Sequence, residues 1–133
     1  MRSKITVDII TPVTTYEYKD VDYLRAPSIE GLFGVLPGHI PSIIALDIGE
    51  VKINVNGKNI FFSTSGGFAD IQENKVMLIL ETVEESHEID IDRAQADLDQ
   101  SIKMLSEDNI DIKKAQAEIQ KAKNRLTIAK KAD

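Results

Sequence analysis

The stretch Ile89-Asp90-Ile91-Asp92-Arg93-Ala94 is where this chain stops alternating every second residue and begins to repeat every three to four. Upstream, over residues 4–83, short apolar or alternating runs are separated by Gly, Pro, Asn and Asp, the punctuation of a β-protein. Downstream, Ile91, Ala94, Leu98, Ile102 and Leu105 are spaced by three, four, four and three residues and so share one helical face. Ser106-Glu107-Asp108-Asn109, rich in capping and turn residues, interrupts that pattern. Ile112, Ala115, Ile119, Ala122, Leu126 and Ala129 then form a second stripe. Two amphipathic helices joined by a short polar loop predict an antiparallel hairpin. The fold expected is α+β: an N-terminal antiparallel β-sandwich over residues 1–85 and a C-terminal two-helix hairpin over residues 88–133.

Strands are expected near residues 5–11, 16–26, 34–36, 43–45, 51–55, 60–65, 68–71 and 75–83. The sharpest local signal is Asn56-Gly57, which links Val51, Ile53 and Val55 to Ile60 and Phe62. Asn-Gly suits the positive φ angles of a two-residue hairpin turn. Glu73-Asn74 is expected to close another hairpin. Many short strands at this spacing indicate a sandwich or flattened barrel.

The 133 residues hold one modest domain, or a small domain with an appendage, and exclude a large enzyme. A net charge of −6 argues against wrapping nucleic acid or binding anionic lipid through the bulk surface. At 42% hydrophobic and 29% charged residues, the chain is too apolar for a disordered acidic tail. With no cysteine, disulfides, thiolate nucleophiles and cysteine-ligated zinc are all excluded. Met1-Arg2-Ser3-Lys4 leads straight into an alternating strand pattern, with neither an apolar signal core nor an arginine-rich leader. No run approaches the ~18 apolar residues of a membrane span, so no direct membrane insertion is expected, and a partner must bring the chain to any membrane.

Charge divides the two helices. Residues 84–111 carry ten acids against Arg93 and Lys103, whereas residues 112–133 carry seven bases against Glu118 and Asp133. Opposed solvated faces that favour hairpin pairing explain this. So does a second reading. Stripes this narrow and alanine-rich bury little area, so the hairpin is marginal as a closed unit and its basic helix is free to seek another acidic surface.

Catalytic chemistry is missing. His39 and His87 stand apart among glycines, prolines or acids, and no nucleophile elbow accompanies them. No metal site is expected. Ser65-Gly66-Gly67-Phe68 lies between strands and lacks the Lys-Ser/Thr ending of a phosphate loop, so it reads as a tight turn. Gly34-Val35-Leu36-Pro37-Gly38-His39-Ile40-Pro41 concentrates backbone constraints that select one loop shape, which serves structure alone or a docking element equally well.

Taken in order, Thr11-Pro12, Gly34-Val35-Leu36-Pro37-Gly38-His39-x-Pro41, Ser65-Gly66-Gly67-Phe68 and Ile89-Asp90-x-x-Arg93-Ala94 resemble the epsilon subunit of bacterial-type F1Fo ATP synthases. The resemblance spans essentially the whole chain, including the ending Asn124-Arg125-Leu126 of the second helix. It implies a sandwich of about ten strands and a non-catalytic rotor part, joining the gamma subunit to the ring of c subunits on the cytoplasmic face of the membrane. The loop with His39 and Pro41 would then face gamma, and Glu30, Leu32 and Phe33 would approach the c-ring. Where the family usually reads Gly-Glu-Leu-Gly, this chain has Gly31-Leu32-Phe33-Gly34, which replaces an ionic contact with an apolar one.

A regulatory role is implied as well. The helices would extend among the alpha and beta catalytic subunits, with Lys113, Lys114, Lys121 and Arg125 supplying charge that restrains hydrolysis. No cofactor is required, but ATP is implied as a regulatory ligand of the folded hairpin, at positions resembling Glu84, Asp90, Arg93, Ala94 and Arg125. Asp90 equally well caps the first helix. Lys114 and Lys121 stand where strong ATP binders carry arginine, and lysine lacks the guanidinium fork, which implies weaker binding. The competing reading of the same residues is a free-standing ATP-sensing module.

Overall fold

The computed structural model describes residues 4–107 and 111–132. Met1-Arg2-Ser3 and the Asp108-Asn109 part of the expected interhelical loop lie outside the described residues. Ten strands come first: β1 (Ile5–Ile10), β2 (Thr15–Val21), β3 (Tyr23–Ser28), β4 (Gly31–Val35), β5 (Ser42–Leu46), β6 (Gly49–Val55), β7 (Lys58–Thr64), β8 (Gly67–Ile71), β9 (Lys75–Leu80) and β10 (Val83–Glu85). A 3₁₀ turn (Ser86–Glu88) leads into helices α1 (Ile91–Met104) and α2 (Ile112–Ala129).

The strands form one hydrogen-bonded sheet in the order β10-β7-β6-β3-β5-β8-β9-β1-β2, with β4 paired to β3 off that path. The sheet wraps over itself into two layers. Tyr16 and Tyr18 of β2, at one end of the order, meet the Phe62 ring of β7, near the other end, edge to face at 5.8 Å. Alternation places Ile5, Val7 and Ile9 of β1 and Val76, Leu78 and Leu80 of β9 in one core with Leu24, Val51, Ile53, Phe62 and Ile71. Pairing is antiparallel except between β1 and β9, which run parallel from Thr6↔Lys75 to Ile10↔Ile79. A parallel pair needs a long crossover connection, and strands β2 to β8 supply it.

Two expected strands are each divided in the structure. The run 16–26 breaks at Asp22, whose carboxylate accepts from the Asn56 amide at 3.2 Å and pairs with Lys4; Asp20 beside it is left-handed at φ 57°. The run 75–83 breaks after Leu80 because the chain changes layer there. β9 pairs with β8 and β1, and β10 pairs with β7. The strand expected at 34–36 begins earlier, at Gly31, so Gly31-Leu32-Phe33-Gly34 is a strand paired with β3 rather than a loop.

The turns follow their chemistry. Asn56 (φ 53°) and Gly57 (φ 79°) make the expected two-residue hairpin turn. Glu73-Asn74 closes the β8–β9 hairpin, with the Gln72 amide donating to the Lys75 carbonyl at 2.7 Å. Ser65-Gly66 joins β7 to β8. There a side chain on Gly67 would place its Cβ 2.1 Å from the Ile79 carbonyl oxygen.

Both helices start on aspartate caps: Asp90 accepts from the Arg93 amide at 3.0 Å and Asp111 from the Lys114 amide at 3.1 Å. Ala94, Ala115, Ala122 and Ala129 of the expected stripes are buried, and Leu98, Ile119 and Leu126 are half-buried. The seam on α1 is rotated from the expected one. Ser101 is buried, whereas Ile91, Ile102, Leu105 and, on α2, Ile112 face solvent. Small side chains at the contact let the helices approach closely, and the larger isoleucines fall to the edge.

Candidate functional site

The second helix is the element that joins the two parts. α2 packs on α1 with one side and on β6, β7 and the 3₁₀ turn with another. Residues 124, 128 and 131, spaced four and three apart, form that second side. Ile128 is 1% exposed and packs with Ile89, Ala129 and Phe61. Asn124 donates through Nδ2 to the Gly49 carbonyl at 2.8 Å and to Ser63 Oγ at 3.1 Å. Lys131 pairs with Glu50 and lies over the Phe61 ring, 4.9 Å from its centroid. Near the hinge, the Tyr16 hydroxyl donates to Glu88 Oε1 at 2.9 Å. Burial first, then that bond and the charges of Glu88, Glu85 and Glu84, raise the Tyr16 pKa.

Between this helix pair and the ends of β7 and β10 lies a cleft of about 380 Å³. It gathers Arg93 and Asp97 from α1, Glu118, Lys121, Ala122 and Arg125 from α2, and Glu84 with Ser63, Thr64, Ser65 and Thr82 from the sandwich. Arg125 is its centre. Its Nε donates to Glu84 Oε1 at 2.6 Å and its Nη2 to Glu84 Oε2 at 3.3 Å, a two-pronged pair, while Nη1 reaches Asp97 Oδ2 at 3.4 Å. Lys121 pairs with Glu118 at 3.4 Å. Arg93 is exposed and makes no ion pair among the described residues, so its guanidinium is available to an anion. The hydroxyl wall is ordered by Ser65 Oγ and Thr82 Oγ1, 2.6 Å apart, and by Thr64 Oγ1 donating to the Thr82 carbonyl at 3.1 Å.

The expected site residues separate into those this cleft contains and those it does not. Glu84, Arg93, Lys121 and Arg125 meet in it. Asp90 caps α1 and Ala94 is fully buried in the helix contact, so neither lines the cleft. Lys113 and Lys114 are exposed in the first turn of α2, away from it. Asp97, Glu118 and the hydroxyl residues were not anticipated. Asp97 had a signal in its position four residues after Arg93, which puts both on one helical face.

The docking candidates occupy other surfaces. His39 is half-buried in a loop pinned by the Gly38 amide donating to the Glu73 carbonyl at 2.9 Å, and Pro41 beside it is exposed. Glu30 sits exposed in the β3–β4 turn, Leu32 is 65% exposed on β4 and Phe33 is half-buried against the sandwich core. Among the described residues no cluster of three or more His, Asp or Glu gathers as a metal site, and no helix is long and apolar enough to cross a membrane.

A wrapped ten-stranded sandwich carrying a docked helix pair defines a two-part chain whose appendage is held by a small apolar cluster around Ile128, by a few polar anchors and by the ion pairs of one polar cleft. Residues 4–86 match the ATP synthase delta/epsilon chain β-sandwich domain, and residues 87–130 match the long α-helix domain of the same chains. An ATP synthase epsilon chain of Nitratidesulfovibrio vulgaris is 39% identical over 130 residues, covering 96% of this chain and 97% of that one. The Staphylococcus haemolyticus epsilon chain is 37% identical over 129 residues, with 96% and 97% covered. In fold, a chain of the Euglena gracilis mitochondrial ATP synthase superposes with a TM-score of 0.77 at 20% identity, covering 99% of this chain and 84% of that one. The chain belongs to the ATP synthase delta/epsilon chain family, of the epsilon type.

Proposed function

We propose that this chain is a non-catalytic part of the central stalk, whose sandwich links the gamma subunit to the c-ring so that ion-driven rotation serves ATP synthesis. Family membership across both domains supports this, as do relatives named epsilon chains over nearly their full length. It would sit peripherally on the cytoplasmic face of the membrane. The exposed Pro41 and half-buried His39 would meet gamma, and Glu30, Leu32 and Phe33 the c-ring. With Leu32 65% exposed where the family usually has an acid, the c-ring contact would be apolar.

The helices restrain hydrolysis in this reading by leaving the sandwich and entering among the alpha and beta subunits, with Lys113, Lys114, Lys121 and Arg125 meeting acidic partners. The observation that carries it is the way α2 is held: one small apolar cluster around Ile128 and a few polar anchors, contacts that can be undone without disturbing the main core. The experiment is removal of residues 88–133 from the assembled enzyme. Assembly and synthesis should persist while hydrolysis rises; equal hydrolysis with full-length and shortened subunits refutes the regulatory role.

ATP is proposed as a regulatory ligand of the folded hairpin. The residues present fit its phosphate end: the Arg93 fork, without an ion pair among the described residues, Lys121 and a row of hydroxyls line one cleft. Three acids in the same cleft and lysine at position 121 point to weak binding. Calorimetry on the full chain tests this, and it also separates a stalk subunit, which need not bind, from a free-standing ATP sensor, which must bind at or below about millimolar ATP.

A further inference from the structure

Arg125 is the cleft's best anion-binding group, yet in the structure its fork is already filled. Glu84 takes it at 2.6 and 3.3 Å, and Asp97 takes the remaining nitrogen at 3.4 Å. These acids come from two different bodies. Glu84 belongs to β10 of the sandwich and Asp97 to α1, so one side chain of α2 ties all three elements together. The pair is largely shielded, with side-chain exposures of 19% for Arg125 and 35% for Glu84. A two-pronged pair in that setting holds geometry better than the exposed Lys121–Glu118 pair within α2, which joins nothing to the sandwich. Arg93, across the same cleft, has no ion-pair partner among the described residues, so the cleft divides into one arginine held by the protein and one left open.

We propose that the Glu84 carboxylate is a built-in anionic latch: it fills the Arg125 fork and keeps the helix pair folded on the sandwich with no ligand bound. An incoming phosphate then meets Arg93 first, and reaches Arg125 only by displacing Glu84. The ligand half of this statement rests on the reading of the cleft as a nucleotide-phosphate site; the latch half stands on the observed pair alone. The physical logic is substitution, since carboxylate and phosphate present the same planar pair of oxygens to the same guanidinium. A protein that carries its own substitute is folded by default, and a ligand adds little to that fold.

The absence of cysteine allows a clean measurement. Labels on Lys19→Cys and Gln100→Cys, both at exposed positions, report the distance from sandwich to α1 in the full chain, without ligand and with inorganic triphosphate. The parent should be closed and indifferent to triphosphate. Glu84→Gln, close in shape, should raise the open fraction about tenfold, and triphosphate should close it again. Arg125→Gln should open the hairpin equally and stay open in triphosphate. This opposite response of two partners is not what loss of a merely structural contact produces. A Glu84→Gln chain as closed as its parent overturns the latch. A Glu84→Gln chain that opens but is not reclosed supports the latch and overturns the phosphate reading of the cleft. Sandwich folding is checked in each variant by amide exchange of β1 and β9.

Discussion

Ile128→Ala tests whether the helix pair is a separately releasable body. Ile128 is 1% exposed in a cluster of its own with Ile89, Ala129 and Phe61, apart from the main core. The substitution removes three carbons, which at about 0.8 kcal/mol each amounts to about 2–3 kcal/mol, and the small cluster collapses only partly into the space. At 1.4 kcal/mol per factor of ten, the undocked population should rise roughly 50-fold. Hydrogen exchange of the full chain reads this directly. Amides of 91–104 and 112–129 should exchange faster by about that factor, while those of β1, β8 and β9 stay at the parent's rate. Acceleration of β1 and β9 in equal measure would mean instead that sandwich and hairpin unfold as one unit, and that the helix pair is not separately releasable. In the assembled enzyme, the same variant should show stronger restraint of hydrolysis, since more helix is free to extend.

Three further predictions concern the sandwich. Gly67→Ala should cost at least about 3 kcal/mol in a denaturant melt, since φ is +148° and the new Cβ would lie 2.1 Å from the Ile79 carbonyl oxygen. Gly38→Ala, also at positive φ but with nothing within 4 Å of its Cβ, should cost only about 1 kcal/mol. For pH, burial first and then the charge of Glu85 push Tyr18 up to about 12 from an ordinary 10.0. A raised folded-state pKa favours the neutral phenol, so this contribution is complete below pH 10 and is lost as pH rises towards 12. Tyr18→Phe should therefore match the parent at pH 9 and lose stability less steeply between pH 10 and 12.

Much of this architecture is legible in the chain because it depends on local chemistry. The change of period at Ile89–Ala94 marks the boundary since strands and helices impose different side-chain repeats. Asn56-Gly57 announces its hairpin because few other pairs accept two positive φ angles. Asp90 and Asp111 start helices where a carboxylate can accept an orphan amide. The division of 75–83 into two strands is of another kind. Its cause is that β9 and β10 belong to different layers, and no residue between them carries that information. The rotated seam of α1 is similar. Apolar spacing proposes Ile91 and Ile102 as core, but the buried positions are the small residues Ala94 and Ser101.

The candidate site shows the same split. Arg93 and Arg125 are visible as cations on successive helices, and Glu84 as an acid before them. That Arg125 is held by Glu84 depends on β10 pairing with β7 and on α2 packing against β7. Local chemistry along the chain specifies the two periodicities, the caps and the turns, and therefore a sandwich followed by two helices. Which face of α2 meets the sandwich, and with it which charges neutralise one another in the cleft, follows from how the layers pack. The reason is physical: periodicity and capping act within one turn or one strand pair, whereas an ion pair 41 residues apart in sequence exists only once the layers have packed.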